Sequence, residues 1–219
     1  MSRGASNTQS AGFKYLSFMG GKFVQRVPEG TPGAEPRVLK KGPNEGNTIH
    51  ELLYDTLGGG IIKMETEASE YGKQLHIFLD VSTVEEPEAK IKISISLSSG
   101  AAKGSLSRLP VIDFSKDVTL KGFKIERKDK PGTYGVYLVP YQDNNKLESF
   151  YTRDEPKGLP QMVKIKVKGQ EVWDDTDQLE FYENLINTTN FPGEASIAPT
   201  EPIQEEAPDL EEGGNDTVF

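Results

Sequence analysis

Alternation of apolar and polar residues is the feature that most restricts what this chain can fold into. In residues 90–97 every second residue is Ile or Leu, and the residues between them are Lys or Ser. Residues 74–81 and 162–168 alternate in the same way. Because successive side chains of a strand point to opposite faces, a period of two predicts three half-buried β-strands.

Two further pairs of segments have the spacing of β-hairpins. Residues 13–18 and 22–27 are separated by Met19-Gly20-Gly21, and residues 118–127 and 133–141 bracket a Pro131-Gly132 turn signal. Glycine and proline at such positions supply the backbone angles that tight turns need. The sequence therefore predicts at least four more strands that pair locally.

The remaining segments predict loops and two helices. Residues 28–48 are rich in Pro and Gly and indicate a long loop, and residues 99–117 indicate an insertion. Residues 48–57 predict a short helix that ends at Gly58, and residues 177–187 predict an amphipathic closing helix. Many antiparallel strands with few helices are typical of a barrel or a sandwich.

The charge is distributed unevenly along the chain. The 25 Lys and Arg residues and 34 Asp and Glu residues give a net charge of −9, but eight acids and no bases lie in residues 191–219. Five more acids and no bases lie in residues 173–190, which leaves 21 acids against 25 bases before residue 173, a charge of +4. We predict a flexible arm (1–10), a mildly basic domain (11–190) and a disordered acidic tail (191–219).

Composition argues against several classes of protein. The chain has no cysteine and two histidines, so it has neither a cysteine zinc site nor a histidine cluster, and its carboxylates show no catalytic spacing. It also has no apolar run long enough for a membrane span and no apolar segment near its start of the kind a secretion signal needs. We expect a non-enzymatic protein that stays in the cytoplasm and uses no cofactor or metal.

Basic and aromatic residues are mixed in the predicted hairpins and on the polar strand faces. Such a mixture is typical of single-strand binding, in which cations follow the phosphates and bases stack on exposed rings. The candidate DNA-binding residues are Tyr15, Lys22, Phe23, Arg26, Phe78, Lys90, Lys92, Lys121, Phe123, Lys124, Arg127, Lys128, Lys130, Tyr134, Tyr137 and Tyr141.

A structural interpretation of the same residues stays open. Phe123 shares its strand face with Ile125, and Tyr134 shares its face with Val136, which favours core positions for both rings. Lysines that alternate along a strand also serve simply to keep an exposed face soluble.

The acidic tail carries a resemblance to a known family. It ends in Asn215-Asp216-Thr217-Val218-Phe219, so two apolar residues follow a long acidic stretch. In this the chain resembles the bacterial and phage single-stranded-DNA-binding proteins, which combine an OB-fold body with a disordered linker and an acidic tail ending in phenylalanine. The bacterial family usually ends in an aspartate run followed by Ile-Pro-Phe, and the departure seen here favours a phage protein acting in a bacterial host.

The resemblance implies an all-β, OB-fold-like antiparallel barrel with long loop insertions, a C-terminal helix and the acidic tail. It also implies that Asp216, Val218 and Phe219 dock on replication, recombination or repair proteins while the body binds single-stranded DNA. Formation of a homo-oligomer stays open. Two alternatives remain: a β-sandwich virion or scaffold protein with a solubilising tail, and a regulator whose acids imitate DNA.

Overall fold

The computed structural model describes residues 13–193, except residues 43, 71, 87, 88 and 129. The predicted arm and nearly all of the predicted acidic tail, including Asp216, Val218 and Phe219, lie outside these residues. The described strands are β1 (Phe13–Met19), β2 (Lys22–Val27), β3 (Glu35–Val38), β4 (Thr48–Tyr54), β5 (Thr56–Ser69), β6 (Gly72–Asp80), β7 (Lys90–Ser96), β8 (Val118–Glu126), β9 (Tyr134–Gln142), β10 (Asn145–Lys146), β11 (Val163–Val167) and β12 (Gln170–Asp174). The α-helices are α1 (Gly100–Leu106) and α2 (Thr176–Thr188), and a 3-10 turn spans Leu109–Val111.

Two of the three alternating segments are strands, as predicted, and they form the centre of one large sheet as β6 and β7. In β6 and β7 the side chains of Leu75, Ile77 and Ile93 are fully buried, and Ile77 lies directly opposite Ile93. Each such side chain contributes about 1.5–3 kcal/mol of burial free energy. The two predicted hairpins are also confirmed, as β1–β2 and β8–β9.

The sheet is mixed and open. Its strand order is β10-β9-β8-β5-β6-β7-β1-β2-β4-β3, and β1 pairs parallel to β7 while the other neighbours pair antiparallel. The prediction of a wholly antiparallel sheet is therefore wrong for this pair. The predicted barrel closure is not observed in the described chain. Strand β7 pairs with β1 on the side that does not face β6, so it does not pair with β9. Helix α1 packs against β9 instead.

Two segments that were predicted as a helix and a loop contain strands. Residues 48–57 do not form the predicted helix, because β4 pairs with both β2 and β3 and thereby satisfies its backbone in the sheet. The predicted loop 28–48 contains the short edge strand β3, in which Pro36 is tolerated because an edge strand has one unpaired side.

The longest strand, β5, was missed because its three consecutive glycines resemble a helix stop. Its first residues pair with β8 and the rest with β6, with a bulge between Ile61 and Lys63. Gly59 has φ +151°, and a Cβ there would lie 2.4 Å from the carbonyl oxygen of Asp80. The glycines therefore let the strand pass close to the end of β6 where it changes partners.

The C-terminal part contains the predicted helix and a separate two-stranded sheet. Helix α2 buries Tyr182 and Ile186, as its amphipathic pattern predicted. Strand β11 lies within residues 162–168, but it pairs only with β12, and all five of its residues are exposed. The prediction of a half-buried strand is wrong here. Within the described residues, no helix has the length and apolar character needed to cross a membrane.

Candidate nucleic-acid interface

A groove of about 820 Å³ lies where the β8–β9 hairpin extends beyond the core. One wall is the hairpin end, including Arg127, Lys128, Tyr134 and Tyr137. The opposite side is formed by the β1–β2 turn, the end of β7 and the first residues of α1. The groove thus brings together segments that are more than 100 residues apart in the sequence.

The strand register determines which side chains reach the groove. Leu120 and Leu138 are buried in the core, and on the same face of β8–β9 the residues nearer the turn are Lys124 and Tyr134. Because these residues lie past the core, 50% of Tyr134 is exposed. The expectation that Tyr134 is a core residue is therefore wrong.

The opposite face of the hairpin is also largely open. It carries Phe123, which is half-buried, together with Ile125 and Tyr137, which are 55% and 42% exposed. These three line a smaller cavity of about 250 Å³ that extends to Tyr141 and to Arg108 after α1. Both faces of the hairpin therefore present aromatic rings to solvent.

Two close backbone contacts hold the hairpin in place. A Cβ at Gly122 would lie 2.1 Å from the carbonyl oxygen of Gly21, and a Cβ at Gly21 would lie 2.7 Å from the carbonyl carbon of Phe123. The β1–β2 turn therefore rests directly on the backbone of β8. A side chain at either glycine would separate the two walls of the groove.

The lysines of the hairpin contact rings rather than acids. Lys121 Nζ lies 4.2 Å from the centre of the Tyr141 ring, and Lys124 Nζ lies 4.4 Å from that of Tyr134. Neither they nor Lys128 and Lys130 form an ion pair with any described residue. Their charge is available to an anionic ligand.

The carboxylate of Glu126, close to these lysines in the sequence, is hydrogen-bonded within the turn. Glu126 Oε1 accepts a hydrogen bond of 2.7 Å from the backbone N–H of Gly132. This bond joins the end of β8 to the turn that follows it, so the role of the acid is to stabilise the turn.

The outer face of β6, β7 and β1 gathers a second group of predicted residues. Phe78 packs edge-on against Phe13, with ring centres 5.4 Å apart, and Lys92 Nζ lies 5.4 Å from the centre of Phe78. Tyr15 lies opposite Lys92 in the parallel β1–β7 pair, and Phe13 lies opposite Lys90. Tyr15, Phe78, Lys90 and Lys92 are thus neighbours on one face.

Acids on β5 reduce the positive charge of that face. Glu67 Oε2 lies 3.8 Å from Lys92 Nζ and 2.9 Å from His76 Nε2. His76 is buried, and its Nδ1 is 2.9 Å from Ser94 Oγ. Burial, and then the charge of Lys92, lowers the pKa of His76. Carboxylates beside the cations make this face less suited to phosphates than the groove.

The predicted residues of β2 do not join the groove. Phe23 is fully buried, with its ring centre 5.1 Å from that of Phe18, because the hairpin register places both rings on the core face. The interpretation of Phe23 as a stacking platform is therefore wrong. Lys22 Nζ pairs with Asp55 at 2.8 Å, and Arg26 lies opposite Glu51 in the β2–β4 pair.

Comparison with known proteins assigns the chain to no family. No protein-family model, curated protein or solved structure matches the chain. Within the described part of the chain, no three or more His, Asp or Glu residues converge as a metal site would require.

Sequence reasoning missed one exposed aromatic residue. Trp173, in β12, is the single tryptophan of the chain and is 61% exposed. Asp174 and Asp175 directly follow it, so the local sequence is marked by charge rather than by apolar alternation. A lone tryptophan outside the predicted core strands was the signal that could have identified it.

Proposed function

We propose that this protein binds single-stranded DNA without sequence preference and without catalysis, along the groove beside the β8–β9 hairpin. The observation that carries the proposal is the set of lysines at this hairpin that have no acidic partner among the described residues. Lys121 and Lys124 lie over tyrosine rings, and Lys128 and Lys130 follow at the turn. Cations attract the phosphates, and the rings receive bases.

A single strand fits this arrangement better than a duplex. The bases of a duplex are stacked on each other and offer no free ring face, whereas those of a single strand stack on aromatic side chains for about 1–3 kcal/mol each. When a phosphate draws Lys124 away, one face of Tyr134 opens to a base. Backbone contacts and stacking are largely indifferent to base identity, which accounts for the absence of sequence preference.

The connectivity of the central strands supports an OB-like body. An OB-fold is a five-stranded, partly open Greek-key barrel that binds oligonucleotides on its second and third strands and the loops beside them. Strands β5 to β9 resemble this plan, because β5 pairs with both β6 and β8 and α1 precedes β8. In this interpretation the loop 127–133, beside the groove, joins the fourth and fifth strands.

The acidic tail extends the proposal to protein partners. We assign Asp216, Val218 and Phe219 to docking on replication, recombination or repair proteins, on the basis of the tail sequence alone. A polyanion tethered to a basic groove also competes there with weakly bound ligands. Binding of a long single strand then releases the tail for its partners.

The test is a fluorescence anisotropy titration of the full chain with labelled oligo(dT) of about 20 nucleotides, longer than the 4–16 nucleotides of an OB-fold site. A duplex of equal length is the competitor, at about 50 and 200 mM salt. The variant K124A/K128A removes Lys128, which lines the groove, and Lys124, which lies over the ring of Tyr134 in the groove wall. The control K116A/K157A removes the same charge from lysines that pair with Asp143 and Glu155 away from the groove.

We expect tight, salt-weakened binding that prefers oligo(dT). The groove variant should make the negative slope of log K against log salt shallower by about 1.4, since each lost phosphate contact on a single strand contributes about 0.7 to its magnitude. The control variant should bind like the wild type. Equal losses in both variants would mean that net charge alone matters, and no binding by the full chain would refute the proposed function.

A further inference from the structure

The β11–β12 hairpin has a well-defined turn but no place in the main sheet. Lys168 and Gly169 form its two-residue connection, with φ +49° and +84°. Positive φ at both positions is the pattern of a type I′ turn, which matches the twist of the flanking strands. The turn therefore holds the hairpin together, although it forms a two-stranded sheet of its own.

One face of this hairpin combines a large aromatic ring with lysines. Lys164 lies directly opposite Trp173, and its Nζ is 5.4 Å from the centre of the indole ring. Lys166 follows on the same face and has no ion-pair partner among the described residues, whereas Lys164 also contacts Glu171 at 3.2 Å. Trp173 is 61% exposed, so most of the indole ring faces solvent.

Packing does not explain the exposed indole. The other face of the hairpin carries Val163, Ile165 and Val172, which are themselves exposed, so Trp173 covers no core there. A large apolar ring in water loses the burial free energy that usually accounts for its presence. Its own face carries two lysines and one acid, Glu171, so the face keeps one positive charge in excess, which favours a ligand that has both a flat ring and a negative charge.

Contacts on both sides of the hairpin attach it to the domain that carries the groove. Asp175, directly after β12, pairs with Lys103 of α1. Gln178 of α2 donates a hydrogen bond of 3.2 Å to the carbonyl oxygen of Pro160, shortly before β11. The same helix α1 contributes Gly100 and Ala101 to the groove. Helix α1 therefore connects the groove with the root of the hairpin.

We propose that Trp173, with Lys164 and Lys166, is a second contact site for single-stranded nucleic acid, on which a base of the bound strand stacks beyond the groove. The inference rests on the proposed function, because it concerns the same ligand. The indole receives the base, and Lys166 holds a neighbouring phosphate. A protein partner fits less well, because an apolar surface placed over Trp173 would also have to cover Lys164 and Lys166 and remove their charges from water.

The single tryptophan makes the site directly observable. Fluorescence excited at wavelengths that tryptophan absorbs and the eight tyrosines do not reports Trp173 alone, while anisotropy of a labelled oligo(dT) reports binding anywhere on the protein. We expect quenching of the tryptophan emission that saturates with the same affinity as the anisotropy signal.

Three variants separate stacking from structure. Trp173→Ala should weaken oligo(dT) binding by about 5- to 150-fold, the equivalent of one lost stacked base, while Trp173→Phe should retain most of the affinity. The matched control is Val163→Thr, an isosteric change on the opposite, exposed face of the hairpin, and it should bind like the wild type. Far-ultraviolet circular dichroism of each variant checks that the fold is retained.

The outcomes distinguish this inference from the proposed function. If oligo(dT) binds by anisotropy but leaves the tryptophan emission unchanged, and Trp173→Ala binds equally well, the second site is refuted while the groove stands. If no oligo(dT) binds to the full chain, both fail. An emission that shifts with protein concentration in the absence of DNA would assign the hairpin to self-association and overturn the inference.

Discussion

Gly21 and Gly122 touch through their backbones, so that a Cβ on Gly122 would lie 2.1 Å from the carbonyl oxygen of Gly21. This contact joins the β1–β2 turn to β8 and places two walls of the groove against each other. The nearest atoms to that Cβ belong to the backbone of Gly21, and the buried Phe18 ring lies 2.8 Å away, so the space cannot be made by rotating a flexible side chain. The relationship couples the stability of the domain to the shape of its candidate site.

Gly122→Ala should therefore weaken both folding and binding. Forcing an extra methyl group into a packed site typically costs about 1–3 kcal/mol, and here it must move the turn away from the hairpin. We expect the free energy of unfolding in urea to fall by that amount and the oligo(dT) affinity to fall with it.

Gly58→Ala is the matched control for this change. Its Cβ would meet nothing within 4 Å, and its φ does not lie in the left-handed region. The substitution should be neutral or slightly stabilising, because it reduces the entropy of the unfolded chain by about 0.4–1 kcal/mol. A Gly122→Ala variant as stable as this control would show that the turn does not press on β8.

Tyr134 and Phe23 should separate binding from stability. Tyr134→Ala removes a half-exposed ring of the groove, so we expect a loss of about 1–3 kcal/mol in oligo(dT) binding and little change in unfolding. Phe23→Ala empties a fully buried position and should destabilise the fold by about 3–5 kcal/mol. Anisotropy measures the change in binding, and urea denaturation measures the change in stability. If both variants lost the same binding free energy at a temperature where both are folded, the assignment of Tyr134 to the groove and Phe23 to the core would be contradicted.

The pair Arg37 and Glu51 should make stability depend on acid pH. Arg37 donates two hydrogen bonds of 2.7 Å to the buried Glu51 carboxylate, and this contact lowers the pKa of Glu51. Because the pKa of Glu51 is lower in the folded state than in the unfolded state, the ionised carboxylate stabilises the fold at pH values above the unfolded-state pKa, about 4.3 for Glu. That contribution is lost as the pH falls through the lower folded-state pKa.

Comparing wild type with Glu51→Gln tests this linkage. The difference between their free energies of unfolding, measured in urea from pH 7 to pH 3, should shrink below about pH 4.3. Arg37→Ala at neutral pH leaves the carboxylate without its donors and should cost about 1–3 kcal/mol. The exposed Arg153→Ala serves as control, and a loss of stability there equal to that of Arg37→Ala would argue against a specific pair.

Removal of residues 194–219 should change binding through charge, because it takes away the acids but keeps Phe191, which is buried in the core. The segment carries eight acids and no bases, so its loss takes a competing polyanion away from the groove. We expect the shortened chain to bind oligo(dT) more tightly at about 50 mM salt, with the difference shrinking at about 200 mM as screening increases. Unchanged or weaker binding at low salt would show that the tail does not occupy the groove.

Much of the candidate site could be anticipated, because its hairpin is local. Lys128, Tyr134 and Tyr137 were identified around a Pro-Gly turn, and all three line one groove in the structure. Which lysines lack an acidic partner could not be anticipated, because Lys22 meets Asp55 and Lys92 meets Glu67 only across strands. Trp173 was missed because β12 has no apolar alternation, so only its position outside the predicted core strands could have identified it.

The sequence by itself determined the elements whose signals are short-range: the alternating strands β6 and β7, the two hairpins and helix α2. A period of two or of 3.6 residues, or a glycine turn, is complete within a dozen residues. The tertiary structure decided the parallel β1–β7 pair, the strand rather than helix at β4 and the open sheet. These depend on backbone hydrogen bonds between distant segments, and a strand's partner is not encoded in its own periodicity.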